Sequence, residues 1–117
     1  MTDPILYHNP RCSKSRAALA LLEARGLAVQ TVHYLDTPPS ETELRALLQA
    51  LGYRPRQLLR TGEALYQSLG LADPALDDAG LIEALCRHPQ LIERPILWVG
   101  ERAVVGRPTE RLLELLP

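Results

Sequence analysis

The stretch Tyr7-His8-Asn9-Pro10-Arg11-Cys12-Ser13-Lys14-Ser15-Arg16 decides how the chain is read. It lies between a short apolar run, Ile5-Leu6-Tyr7, and a dense apolar block, Ala17-Ala18-Leu19-Ala20-Leu21-Leu22. Length and flanking residues make this a strand, a loop and a helix, with a lone cysteine where loop becomes helix. The first backbone N–H groups of a helix have no internal partner, and the helix dipole places partial positive charge there. A thiolate at that point is favoured over a thiol, so its pKa falls below the free value of about 8.5. His8, Arg11, Lys14 and Arg16 are close in sequence and add cationic field wherever their side chains turn inward. Most single cysteines are inert core residues, but a polar, basic, proline-containing loop does not suit an apolar burial site. Cys12 therefore reads as a nucleophile.

Working outward, the first helix runs from about Ser15 to Arg25 and stops at Gly26. Val29-Gln30-Thr31-Val32-His33-Tyr34-Leu35 is rich in β-branched and aromatic residues and reads as a second strand. Strand, helix and strand in so short a span form a βαβ unit with parallel strands. After Thr37-Pro38-Pro39, Ser40 and Glu43 fit a capping box for a helix through Leu44, Leu47, Leu48 and Leu51. Short helices follow, opened by Pro55 and beginning again at Ala64, and another is capped by Asp77 or Asp78 and halts at His88-Pro89. Residues 40–88 thus read as an all-helical block. The chain then returns to β, with Pro95 to Val99 and Ala103 to Val105 joined by a tight turn at Gly100-Glu101-Arg102. A last helix, Glu110 to Leu116, has Pro108 suited to its first turn. The order βαβ, helices, ββα is that of an α/β, thioredoxin-like fold carrying a helical insertion between its halves, as one domain over residues 1–117.

Composition narrows the functional classes. A chain of 117 residues with 46% hydrophobic and 23% charged residues is long enough for one globular core. Its net charge of −1 gives no support for general nucleic-acid or anionic-membrane binding. Phe is absent and aromatics make up 4%, which argues against base-stacking platforms. No apolar run approaches the ~18–20 residues of a membrane span, and Met1-Thr2-Asp3-Pro4 opens no signal peptide. The two cysteines, Cys12 and Cys86, have neither the spacing of a metal site nor the number of a disulfide framework. A cytoplasmic protein with no metal and no bound cofactor is expected, working as a monomer.

Cys12-Ser13-Lys14-Ser15 is a C-x-x-S sequence. Serine stands where a resolving cysteine would sit, so an adduct on Cys12 needs an outside thiol to release it. The C-x5-R phosphatase pattern fails, since its arginine would fall at Ala18. Arg60 before Thr61-Gly62, Arg94 before Pro95 and Arg107 between Gly106 and Pro108 sit on backbone that their neighbours hold. Arginine presents planar, bidentate donors suited to tetrahedral oxyanions. Spacing alone does not bring these three together. Cys86 reads as a core residue on a Leu/Ile-lined helix face, His88 as structural at a helix C-terminus, and Trp98 as packing; His33 carries no functional reading.

His8-Asn9-Pro10-x-Cys12-x-x-Ser15-Arg16, Leu59-Arg60, Glu93-Arg94-Pro95-Ile96 and Gly106-Arg107-Pro108 together resemble the ArsC family, the glutaredoxin-dependent arsenate reductases. The likeness spans the chain and is greatest to a short branch carrying N-P-R-C-S-K-S-R. Ser13-Lys14 stands where characterised members usually carry Gly-Thr. The resemblance implies that Cys12 attacks arsenic, that His8 helps keep Cys12 ionised, and that Arg60, Arg94 and Arg107 hold the arsenate oxygens, with Ser15 and Arg16 beside them. Pro95, at the entry to the third strand, is expected to be cis. Glutathione would serve as co-substrate and glutaredoxin as partner, completing reduction to arsenite. Two other classes stay open. One is a monothiol, glutaredoxin-like thiol transferase acting on glutathione mixed disulfides. The other is a non-enzymatic, Spx-like regulator that binds RNA polymerase, against which Ser15 counts because such proteins often carry a C-x-x-C switch.

Overall fold

The computed structural model describes residues 4–116. The first three residues of the stretch read above as no signal peptide lie outside them. The chain divides into two compact units, one made of the segments up to Thr37 and from Arg94 onward, the other of Pro38–Glu93.

The first unit is built on a sheet of order β2-β1-β3-β4, with β1 at Ile5–Tyr7, β2 at Gln30–Val32, β3 at Ile96–Val99 and β4 at Arg102–Val105. β1 pairs parallel with β2 and antiparallel with β3, and β3 pairs antiparallel with β4. This is the thioredoxin-like arrangement. Helix α1 (Ser13–Ala24) makes the crossover from β1 to β2 and ends as Gly26 takes a left-handed φ of 73°. There Gly26 N–H donates to the Glu23 carbonyl and Leu27 N–H to that of Leu22. The core joins Leu6 of β1, Ala18 and Leu22 of α1, Leu97 of β3, Val104 of β4 and Leu112.

Two elements here differ from the sequence reading. β2 is three residues long, and Tyr34 lies in the turn that follows it. β1 offers only three residues to pair with, and the N–H groups of Asp36 and Thr37 bond back to the His33 carbonyl, turning the chain away. The last helix is a 3₁₀ segment, Thr109–Leu115, with Pro108 before it and not within its first turn. Its i→i+3 bonds, such as Arg111 N–H to the Pro108 carbonyl (3.0 Å), allow Leu112 to reach the core from a short segment. Among the described residues the Arg94–Pro95 and Arg107–Pro108 bonds are cis.

The second unit is helical. α2 (Glu41–Leu51) begins at Ser40, whose hydroxyl accepts the Glu43 N–H at 3.1 Å, and ends at Gly52 with φ 69°. α3 (Pro55–Leu58) and α4 (Ala64–Ser68) are short. α5 (Asp78–Arg87) is capped by Asp77, which accepts the Gly80 N–H at 2.9 Å. Leu44, Leu47 and Leu48 of α2 and Leu81, Ile82 and Leu85 of α5 are buried where those helices pack. A bridge between Leu59 and Ile92, flanked by the Arg60 N–H to Leu91 carbonyl bond (2.7 Å), ties the middle of this unit to its C-terminal end. Among the described residues, no helix is long and apolar enough to cross a membrane.

Candidate active site

One row of the sheet places the site. Val32, Tyr7, Ile96 and Val105 stand side by side in register. β1 and β2 finish at this row, β3 begins there and β4 finishes there. The chain just beyond the row therefore gathers four segments at one end of the sheet: His8 to Cys12, His33-Tyr34, Arg94-Pro95, and Gly106-Arg107. Strand ends in open α/β sheets are where ligand crevices form.

Cys12 is the N-cap residue of α1, extended at φ −95° and ψ 123°, and as a neutral thiol makes no side-chain capping bond. As a thiolate it has several partners. Burial alone would raise its pKa, but the Ser15 backbone N–H, a hydrogen bond and charge from the Arg94 guanidinium, and the Lys14 backbone N–H outweigh burial and lower it to about 7. The loop before it is fixed by its own bonds. Cys12 N–H donates to the Asn9 carbonyl (2.9 Å), Arg11 N–H to Asn9 Oδ1 (3.0 Å), and Arg16 Nη1 to the Pro10 carbonyl (2.9 Å).

Arg94 and Arg107 are coupled through the backbone, as Arg107 Nε donates to the Arg94 carbonyl at 2.7 Å. Gly106 permits this approach. A Cβ there would come within 2.9 Å of Leu112 Cδ2 and 3.1 Å of Pro95 Cγ, so a side chain at this position would force Leu112 to shift and would crowd Pro95. Beside Cys12, the polar atoms Ser15 Oγ, Arg94 Nε, Tyr34 Oη and His8 Nδ1 are buried without a hydrogen-bond partner. Buried polar groups are nearly always paired, so such a concentration beside one nucleophile calls for a functional account.

The expected site residues divide on inspection. Cys12, Ser15, Arg94 and Arg107 stand together at the end of the sheet. His8 is there too, 5% exposed, but not as a supporting cation. Burial first, then the His33 and Arg16 charges, lower its pKa, against a raising backbone contact with Ser15. Its ring lies 5.8 Å from that of His33. The positive charge acting on Cys12 comes from Arg94. Arg16 is exposed and braces the loop through Pro10. Arg60 belongs to the helical unit, where its guanidinium meets Glu63 at 2.8 Å and Glu93 at 3.6 Å. Cys86, on α5, has its thiol pushed up by burial and by Glu41, against Arg45.

Tyr34 was missed. It is 1% exposed, and its electrostatic neighbours are Arg94, Cys12 and Arg107; burial nevertheless wins and raises its pKa to about 12. Its signal in the sequence is positional, a tyrosine two residues past the end of a strand parallel to the one that leads into Cys12.

The sequence pattern of the ArsC family matches residues 7–115. The chain belongs to the ArsC family. A Neisseria meningitidis protein named arsenate reductase is 49% identical over 117 residues, covering 99% of this chain and 100% of its own. A solved arsenate reductase from Vibrio cholerae is 49% identical with a TM-score of 0.95, over 97% of this chain and 98% of that one. A solved Yersinia pestis chain is 51% identical with a TM-score of 0.93, over 97% and 100%. By sequence and by fold this ArsC chain is therefore an arsenate reductase-like oxidoreductase. Among the described residues, no group of three or more His, Cys, Asp or Glu could hold a metal ion.

Proposed function

We propose that the protein reduces arsenate to arsenite through Cys12, with glutathione as co-substrate and a glutaredoxin as partner, in the cytoplasm. The observation that carries this reading is a cysteine of lowered pKa at a helix N-cap, with an arginine beside it and buried, unpartnered polar groups around it. The names of the relatives support arsenate as the oxyanion.

The Cys12 thiolate attacks arsenic, forming an S–As bond. One arsenate oxygen takes a proton and leaves as water, and arsenic stays As(V). Negative charge spreads over the remaining oxygens. Arg94 and Arg107, with the Ser15 hydroxyl and the N-terminal N–H groups of α1, are the donors that stabilise it. Ser15 in C-x-x-S leaves no local thiol to resolve the adduct. Glutathione replaces a second oxygen, again released as water. A glutaredoxin thiol then takes the glutathione sulfur as a mixed disulfide, leaving two electrons on arsenic. Hydrolysis releases arsenite and restores Cys12. Arg60 is the third arginine of this proposal, and its ion pairs with Glu63 and Glu93 orient its guanidinium within its own unit.

A coupled assay supplying glutathione and glutaredoxin, with arsenate or a glutathionylated peptide, tests the scheme. Arsenate turnover is expected in wild type and in Cys86→Ser, and none in Cys12→Ser. Arg60→Ala is expected to lose at least about tenfold in kcat/KM, the loss for one charge-assisted contact. Turnover surviving in Cys12→Ser would remove the mechanism. Loss in a folded Cys86→Ser would reveal a second thiol in the relay. No arsenate turnover beside brisk deglutathionylation would make the protein a thiol transferase.

A further inference from the structure

We propose that the Tyr34 hydroxyl donates a hydrogen bond to an oxygen of the bound oxyanion, making Tyr34 a substrate-binding residue of this site. The inference rests on the oxyanion reading above.

Tyr34 is held where a donor is useful. It follows β2 by two residues, at the end of the sheet where the Cys12 loop and Arg94 also emerge. Its ring meets Tyr7 edge-on, with centroids 6.4 Å apart and planes at 77°, and Tyr7 in turn stacks on Trp98 at 6.4 Å and 29°. That aromatic row, anchored by the Trp98 Nε1–H bond to the Gly100 carbonyl at 2.9 Å, fixes the direction of the phenol. The ring is 1% exposed, yet its oxygen is unpartnered, and so is Arg94 Nε. A hydroxyl buried merely as part of a core side chain finds an acceptor in nearly every case. Here its charged neighbours are two arginines and the Cys12 thiolate. Arg94 can donate to the phenol oxygen and to Cys12, but arginines cannot accept a hydrogen bond, so an anion lying between them would give the phenol proton an acceptor and Arg94 Nε the partner that atom lacks.

Burial also keeps the proton on the phenol, with a pKa of about 12. Tyr34 is thus neutral and a donor at any physiological pH. A neutral donor selects for an acceptor oxygen. A tetrahedral oxyanion, or its S–As adduct on Cys12, supplies one, whereas a disulfide sulfur accepts poorly. Tyr34 accordingly favours oxyanions over glutathione mixed disulfides.

The test measures how well arsenate protects Cys12 from alkylation by iodoacetamide, in wild type and in Tyr34→Phe. The variant is expected to need on the order of ten- to hundredfold more arsenate for the same protection, the loss of one hydrogen bond to a charged acceptor. Its melting temperature should hold or rise, since an unpartnered buried hydroxyl is removed, and the pH profile of alkylation without anion should shift little, since a neutral group is lost. If Tyr34→Phe does not fold, 3-fluorotyrosine at position 34 keeps the ring and the donor, and protection at least equal to wild type is expected. Equal protection in wild type and a folded Tyr34→Phe would overturn the assignment while leaving the oxyanion site standing, as would weakened protection in the fluorotyrosine protein. Should arsenate fail to protect wild type at all, the oxyanion reading falls and Tyr34 with it.

Discussion

At Cys12 two opposing effects meet, and their balance sets the chemistry. Burial resists the thiolate, while the Ser15 N–H, Arg94 and the Lys14 N–H favour it and win, leaving a pKa of about 7. Alkylation should therefore be half-maximal near pH 7 and slow as pH falls below it, because protonation removes the nucleophile; a pH-rate profile measures this. Arg94→Gln should move the midpoint upward, since the arginine contributes both a hydrogen bond and a charge. His8→Ala should move it less, because burial disfavours the charged imidazole. The place of Cys12 was legible in the sequence, since a polar, basic, proline-containing loop between a strand and an apolar helix marks the helix N-terminus where it stands. The partners were not equally so. Closeness in sequence made His8 look like a cation, but whether a histidine is charged depends on its burial, which only the fold decides. Arg94, 82 positions away in the chain, does that work instead.

Elements were legible where a local device marks them. Ser40 and Asp77 cap α2 and α5, and Gly26 and Gly52 take the left-handed conformation that ends α1 and α2. Ser40→Ala should cost about 1 kcal/mol of stability, the usual value of an N-cap, read as a lowered denaturant midpoint with unchanged slope. Lengths set by a partner were less legible. Val29 to Leu35 has the composition of a seven-residue strand, but β1 pairs with only Gln30–Val32, so Tyr34 falls in the turn beyond the strand end. The final helix, expected over Glu110 to Leu116 with Pro108 in its first turn, is a 3₁₀ segment over Thr109–Leu115 that carries Leu112 into the core. Gly106→Ala tests the packing around that segment. Its methyl group would displace Leu112 and crowd Pro95, so about 1–3 kcal/mol of destabilisation is expected, together with reduced anion protection of Cys12 as Arg107 shifts.

For the whole molecule, the expected insertion at 40–88 corresponds to a unit that runs from Pro38 to Glu93. Pro38-Pro39 marks its start in the sequence, whereas its expected end is at His88-Pro89; the unit runs five residues further because Leu91 to Glu93 bond back to Leu58 and Arg60, which no local signal announces. Each unit carries one free cysteine, and the two differ in character. Cys12 is held toward the thiolate, whereas burial and nearby carboxylates keep Cys86 a thiol. On exposure to oxidised glutathione at neutral pH, mass spectrometry should find one glutathione, on Cys12, with Cys86 unmodified and no internal disulfide. Labelling of Cys86 at a similar rate would show that the two environments do not differ as described.

The buried polar atoms without partners have a consequence for anyone who evolves or redesigns this protein. Each of Ser15 Oγ and Tyr34 Oη sits where an apolar atom would be easier to accommodate. A library sorted for heat resistance alone would enrich Ser15→Ala and Tyr34→Phe early, and the winners would be sturdier proteins with a poorer grip on their anion.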